Sequence, residues 1–496
     1  MIKQLILSII LALCVSSEML AEENVLLSRA YWKANPTIAK VKMAIAEGND
    51  PSALNENAFD AVVYALLEKT NEDVIKYLLS LEGNTIEKRT HDSRTYIFWA
   101  AYKGNVEIMK YLFNKGALIN IRDSHGNTPI IFAAASGQTN INVYDLFEKQ
   151  GAVLKDEVNE DGVNALFLVA PYLESDKALS YFISKGFNVK DKDPIGNTLF
   201  NYAAKKGDIH FLKLLIEKGI DPTVRNKYGG NAMLYASQGT RNHENTLETY
   251  QFLASLGVII NVVGDKGRNP LHAIAYNSDD ISIFNYFIEK GVAVNLQDVG
   301  GDTPFMNAAN SNKLSVVKFL SDFVEDINLK DKNGRSALAM AVNRNTIAVV
   351  QLLLKQGAAI NTKDKNGNSL AFYLLNTFKK NESKVFESKL ELLTKEGLSM
   401  NQTQNKGNTL LHITSQKNNL LLLKRLMKFK IPINSKNEEG YTALHIAAMK
   451  TDNALTLKYL LSQGANKTIK TEFEETVFDL ASENELLQKQ DLKFLQ

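Results

Sequence analysis

The sequence predicts an all-α protein: a solenoid of short helix-turn-helix units with β-turn hairpin tips. Glycines set in turn-forming contexts recur at Gly126, Gly162, Gly196, Gly229, Gly267, Gly301, Gly334, Gly367, Gly407 and Gly440, with successive separations of 36, 34, 33, 38, 34, 33, 33, 40 and 33 residues. Each interval carries two short apolar stretches of helical periodicity divided by a polar break. The first stretch is often rich in small residues, as at Ala308-Ala309 and Ala447-Ala448, which lets neighbouring helices approach closely. Two helices this short cannot bury their apolar faces alone, so each unit needs a copy on either side.

The stretch Asp331 to Asp364 shows the logic of one unit. Gly334 supplies the positive φ that a tight turn requires. Ser336 stands where a helix N-cap is wanted, and Ala337–Val342 is the first helix. Asn343–Asn345 is the polar break. A second helix is expected over Thr346–Lys355, with Val349, Val350, Leu352, Leu353 and Leu354 on its apolar side and Gly357 as its C′ glycine. Ala358 to Asn361 then runs extended to the next turn.

A line of residues recurs in phase with the glycines. Gly126, Thr128, Pro129, Ala133 and Ala134 form one copy; Pro270, Leu271, His272 and Ala275 form another, and Thr303, Pro304, Ala308 and Ala309 a third. The fullest copy is Gly440, Thr442, Ala443, Leu444, His445, Ala447 and Ala448, followed by Leu460, Leu461, Gly464, Ala465 and Asn466. This resembles the G-x-T-P-L-H-x-A-A line of the ankyrin-repeat family, over about Asn24 to the end of the chain. Proline at the first helical position costs no hydrogen bond, because that N–H is an orphan anyway.

Taken in order, residues 1–21 read as a signal peptide: Lys3 is a short positive region, Leu5 to Val15 an apolar core, and Ala21 a cleavage position. A buried N-terminal helix and a lipoprotein signal on Cys14 are the alternatives, the latter with Leu13 where a small residue is wanted. Cys14 is the only cysteine, so the cleaved chain would hold none and would suit an oxidising compartment. Residues 22–89 read as degenerate N-terminal capping repeats, 90–470 as the regular array, and 471–496 as a C-terminal capping helix or half repeat. About thirteen repeats plus a terminal cap are expected. Insertions near Gly137–Asn142, Gly239–Asn245 and Phe378–Lys384 should be surface loops between paired helices, with Arg241 to Asn245 solvated.

Charge gives no case for nucleic acid, since Lys+Arg total 57 and Asp+Glu 55. No membrane span is expected after signal cleavage. His272, His412 and His445 hold the T-P-L-H position, where the resemblance implies a structural imidazole bonding backbone between neighbouring turns. Asp123, Asp193, Asp298, Asp331 and Asp364 open turns and should accept hydrogen bonds from them. No nucleophile elbow, phosphate loop or H-E-x-x-H occurs, so no catalytic residue, cofactor or metal site is expected.

What remains is the concave surface that ankyrin arrays line with turn tips and first-helix ends. Aromatic and arginine side chains there are common interface anchors. Tyr102, Tyr228, Tyr276, Arg335, Arg344 and Tyr441 are the expected partner-binding residues. The expected function is a non-catalytic, monomeric scaffold that binds a protein partner through that groove. Its expected setting is bacterial and exported, periplasmic or secreted. A secreted effector acting on a host protein and a structural cell-envelope protein are the alternatives, with an enzyme site between repeats a further one.

Overall fold

A computed structural model describes residues 24–380 and 383–496. The segment read as a signal peptide, with Cys14, lies outside the described residues, as do Asn381 and Glu382 of the third insertion. The chain divides into two units, Met1–Lys227 and Tyr228–Gln496.

Each unit is a solenoid of helix pairs. The first unit runs from the pair Arg29–Lys33 and Ile38–Ala46 to the pair Leu199–Ala203 and Ile209–Glu217. The second starts with Ala232–Gln238 and Leu247–Ser255, ends its pairs with Ala443–Lys450 and Leu455–Ser462, and adds a single helix at Val477–Glu483. First helices pack on first helices of adjacent pairs, and second helices on second helices. The described residues form no extended sheet. Isolated antiparallel bridges such as Lys330–Ser336 and Lys363–Ser369 close the turn tips.

The two helices of a pair differ in burial, and the sequence explains why. Ala337 to Val342 are all buried, because this helix is sandwiched between its neighbours and is apolar all round. In Ile347–Lys355 only Val349, Val350 and Leu353 are buried. Leu352 and Leu354, expected on the same apolar side, are half-exposed because they flank the buried stripe. Each buried Leu or Phe contributes roughly 1.5–3 kcal/mol. Gly357 ends the helix at φ +88°, and the Ala358 and Gly357 N–H groups donate to Leu353 and Leu354 carbonyls, both at 3.0 Å.

The first helix runs on to Arg344, so the break is Asn345 and Thr346 rather than Asn343 to Asn345. Asn345 does more than interrupt. Its buried amide donates to the carbonyls of Ala309 at 3.0 Å and Asn312 at 2.9 Å, at the end of the preceding first helix. Asn312 does the same to Ala275 and Ser278, both at 2.8 Å. Gln138 caps Ala101 and Tyr102, and Asn484 caps Ala448 and Thr451. Helix C-termini leave carbonyls without intrahelical partners, and here the next repeat satisfies them. Asn245, expected to be solvated, is buried for a related reason: its amide donates to the Ala236 carbonyl at 2.9 Å.

Candidate protein-binding surface

The turns are built by their first residue. In the second unit, Asp298 Oδ1 accepts from the Gly300 and Asp302 N–H groups, Asp331 Oδ1 from Asn333 and Arg335, and Asp364 Oδ1 from Asn366 and Asn368. The second carboxylate oxygen takes a side chain: Arg268 on Asp298, Arg335 on Asp331, Tyr373 on Asp364. Burial opposes ionisation of Asp298, but the Arg268 guanidinium and the turn N–H groups outweigh it and hold the carboxyl below its ordinary value. Asp302 goes the other way: burial, with Asp331 and Asp298 nearby, raises it. Asp123 and Asp193 in the first unit accept from their own turns in the same manner.

Histidines fasten each helix start to the following repeat. The Thr409 and Thr442 N–H groups donate to Nδ1 of His412 and His445 at 3.1 and 3.0 Å. The opposite Nε2–H donates to the carbonyls of Tyr441 and Ile469, both at 2.9 Å. His272 reaches the Asp302 carbonyl at 3.2 Å. Burial lowers the pKa of all three.

Successive turn tips are tied backbone to backbone. Val299 N–H donates to the Lys266 carbonyl at 2.7 Å, Lys332 to Gly300 at 2.8 Å, and Lys365 to Asn333 at 2.8 Å. The approach is close enough that a Cβ on Gly334 would lie 2.6 Å from the Lys365 nitrogen. The run stops at the next step. Asn405 N–H donates to the side chain of Asn368 at 3.1 Å, and a Cβ on Gly367 would meet nothing within 4 Å. The tie resumes at Glu438, whose N–H donates to Lys406 at 3.0 Å.

Where the run stops, a cleft of about 640 Å³ opens. Asn366 and Asn405 stand on its turn side, and Phe372, Ile413 and Gln416 line it from the first helices Leu370–Leu375 and Leu410–Gln416. Arg335 and Lys417 line it too. The first-helix and turn residues that matter here, apart from Arg335, were not among the sequence-derived contact residues. The signal that could have found them is the 40-residue interval from Gly367 to Gly407.

The six sequence-derived residues fall differently. Tyr102, in the first unit, is half-buried with its ring 5.7 Å from Phe132. In the second unit Tyr228 is 55% exposed and Tyr276 46%. Arg344 is exposed at the end of its helix, and Arg335 and Tyr441 are half-buried. Arg335 and Tyr276 lie within electrostatic reach of each other. Tyr441 sets its ring 6.3 Å from His445.

Stacked helix pairs with hydrogen-bonded turn tips define a helical repeat protein. A family profile described as Ankyrin repeats (3 copies) matches residues 29–123, 61–156, 166–263, 200–298, 233–325, 271–364 and 382–471. The chain belongs to the ankyrin-repeat family, whose repeats are a protein–protein interaction scaffold. Similar proteins include a transient receptor potential cation channel subfamily A member 1 homolog of Caenorhabditis elegans, 29% identical over 197 residues, covering 38% of this chain and 15% of the relative. Alpha-latroinsectotoxin-Lt1a of Latrodectus tredecimguttatus is 24% identical over 272 residues, covering 52% and 19%. The nuclear factor NF-kappa-B p105 subunit of Gallus gallus is 23% identical over 205 residues, covering 40% and 21%. The chain thus spans only 15% to 21% of the length of these relatives. Among the described residues no helix is long and apolar enough to cross a membrane.

Proposed function

We propose that the protein is a non-catalytic binding module that docks a partner protein on the turn-tip and first-helix face of its second unit. The observation that carries this reading is the division of labour at the tips. Backbone bonds between tips fix the chain, while Tyr228, Tyr276 and Arg344 point substantial surface outward. A surface ordered in advance lowers the entropy cost of binding. The test is a crosslinking pull-down from intact cells with the wild-type chain and a variant carrying Tyr228→Ala, Arg335→Ala, Arg344→Ala and Tyr441→Ala. A protein enriched by the first and lost from the second supports the reading. Equal recovery by both places binding elsewhere on the molecule.

We propose, further, that the module works outside the cytoplasm of a bacterium, in the periplasm or after secretion. Lys3, the apolar run Leu5 to Val15 and Ala21 support export, as does the lack of any cysteine after Cys14. Intact-mass measurement of the protein from cell fractions tests it. A chain that retains Met1 and stays in the cytosolic fraction rules export out.

A further inference from the structure

We infer that the cleft between the turns 364–367 and 404–407 takes an extended, acidic peptide segment of the partner protein, an inference that rests on the binding-module reading above.

The opening itself supplies an unused edge. At the preceding steps the third turn residue accepts an N–H from the next turn, as Gly300 and Asn333 do. The equivalent carbonyl, that of Asn366, accepts no hydrogen bond among the described residues. Around it stand side-chain amides that are equally uncommitted. Asn366, Asn405 and Gln416 are exposed, and their amides have no partner among the described residues. A carboxamide offers both donor and acceptor, the same pair that a peptide group offers. An extended segment has those groups free, whereas a helix has already spent them. Below the amides, half-buried Phe372 and buried Ile413 provide an apolar floor for one side chain of the segment.

Charge selects the acidic case. Asp364 is the acid in the lining, and its oxygens are occupied by two turn N–H groups and the Tyr373 hydroxyl. Lys417 is exposed in the same space, and Arg335 lines it with its guanidinium already held by Asp331. Lys365 is exposed beside Asn366 and has no ion partner among the described residues. The carboxylates of a ligand therefore meet cations, while the local acid is already satisfied.

The experiment selects random dodecapeptides on the full-length protein by display and measures the selected sequences as synthetic fluorescent peptides. Peptides carrying Asp or Glu around an apolar residue are expected. Asn366→Ala with Asn405→Ala should weaken them about tenfold, and so should Lys365→Glu with Lys417→Glu. The charge-reversed protein should instead prefer the same peptides with Lys in place of the acids, which a folding defect cannot produce. Neutral or basic selected peptides, or undiminished binding by the amide variant, overturn the inference. So does a single-stranded oligonucleotide that outcompetes the acidic peptides, or a second copy of the chain whose self-association the amide variant abolishes. If no peptide is selected while the crosslinked partner is still lost from the four-residue alanine variant, the inference falls and the broader reading stands. If no partner is crosslinked at all, both fall.

Discussion

Lys389 Nζ donates to the Val342 carbonyl at 2.7 Å across 47 residues of sequence, with a weaker bond to Ala341 at 3.3 Å. Its side chain is buried, 1% exposed. It stands where other repeats place an asparagine or glutamine amide. The long second helix Ser383–Lys395 follows the third insertion, and from it the long lysine side chain reaches those carbonyls. A cation at a helix C-terminus is well placed against the dipole. Burial nonetheless lowers its pKa to about 8.

Lys389→Met should therefore change the pH dependence of stability. The native lysine releases its proton near pH 8, the unfolded one near its ordinary 10.5. Between those values the unfolded chain holds more protons, so stability rises with pH and is lost as pH falls. The wild-type minus variant difference in urea unfolding should grow by up to about 3 kcal/mol across that window. A difference that stays constant from end to end contradicts the burial of a protonated amine.

The three histidines predict an acid-side loss. Their Nδ1 atoms accept a backbone N–H, which protonation forbids, and burial holds their pKa below the ordinary value. A depressed histidine contributes stability above its unfolded pKa, about 6.5, and loses it as pH falls toward the folded value. Asp298 and Asp302 near His272, and Glu475 near His445, soften the effect, while Arg268 and Lys436 sharpen it. The thermal midpoint should drop between about pH 7 and 5, and His412→Gln with His445→Gln should flatten that drop while lowering the neutral-pH midpoint. An unchanged acid slope in the double variant would mean other groups set it.

Asn345→Ala should cost about 2 kcal/mol, because it strips the amide from the Ala309 and Asn312 carbonyls and leaves them buried without partners. Asn345→Asp should cost more, since it sets a carboxylate against carbonyl oxygens. Denaturant midpoints of the two variants give the ranking. Equal midpoints for wild type and Asn345→Ala would show that water replaces the amide.

Two glycines at the same turn position should respond unequally. Gly334 and Gly367 have φ of +79° and +83°, so alanine strains both. Only at Gly334 does the added Cβ also strike the next turn, 2.6 Å from Lys365 N. Gly367→Ala should cost about 1 kcal/mol, Gly334→Ala clearly more. Matching losses would mean that the tips are tied as closely at the cleft as before it.

Much of this architecture was legible in the sequence because its signals repeat in phase. Thr128, Pro129, Ser336 and Gly357 each mark a helix boundary by a local rule, and the structure places them at N-cap, first and C′ positions. The amide clasps were not legible. Asn345 reads as part of a polar break, Asn245 as part of a solvated insertion, and nothing marks Lys389, because their partners lie in other repeats or across a turn and no local rule reaches them. The cleft was hidden for the same reason. The 40-residue interval was visible as an insertion between helices, but its effect appears at the turn, where Asn405 finds a side chain instead of a carbonyl.

The tip-to-tip ties of the second unit join each turn only to its immediate neighbours, so they form a zipper of separate teeth. A tensile load drawn along the stack meets one tooth at a time, and each release lets out the peptide of one repeat. Thirty-three residues pay out roughly 110 Å, whereas the interval of 40 between Gly367 and Gly407 pays out roughly 135 Å. A force trace would carry that longer step as a fingerprint. It would also fall where a side chain holds what the backbone holds at the steps on either side.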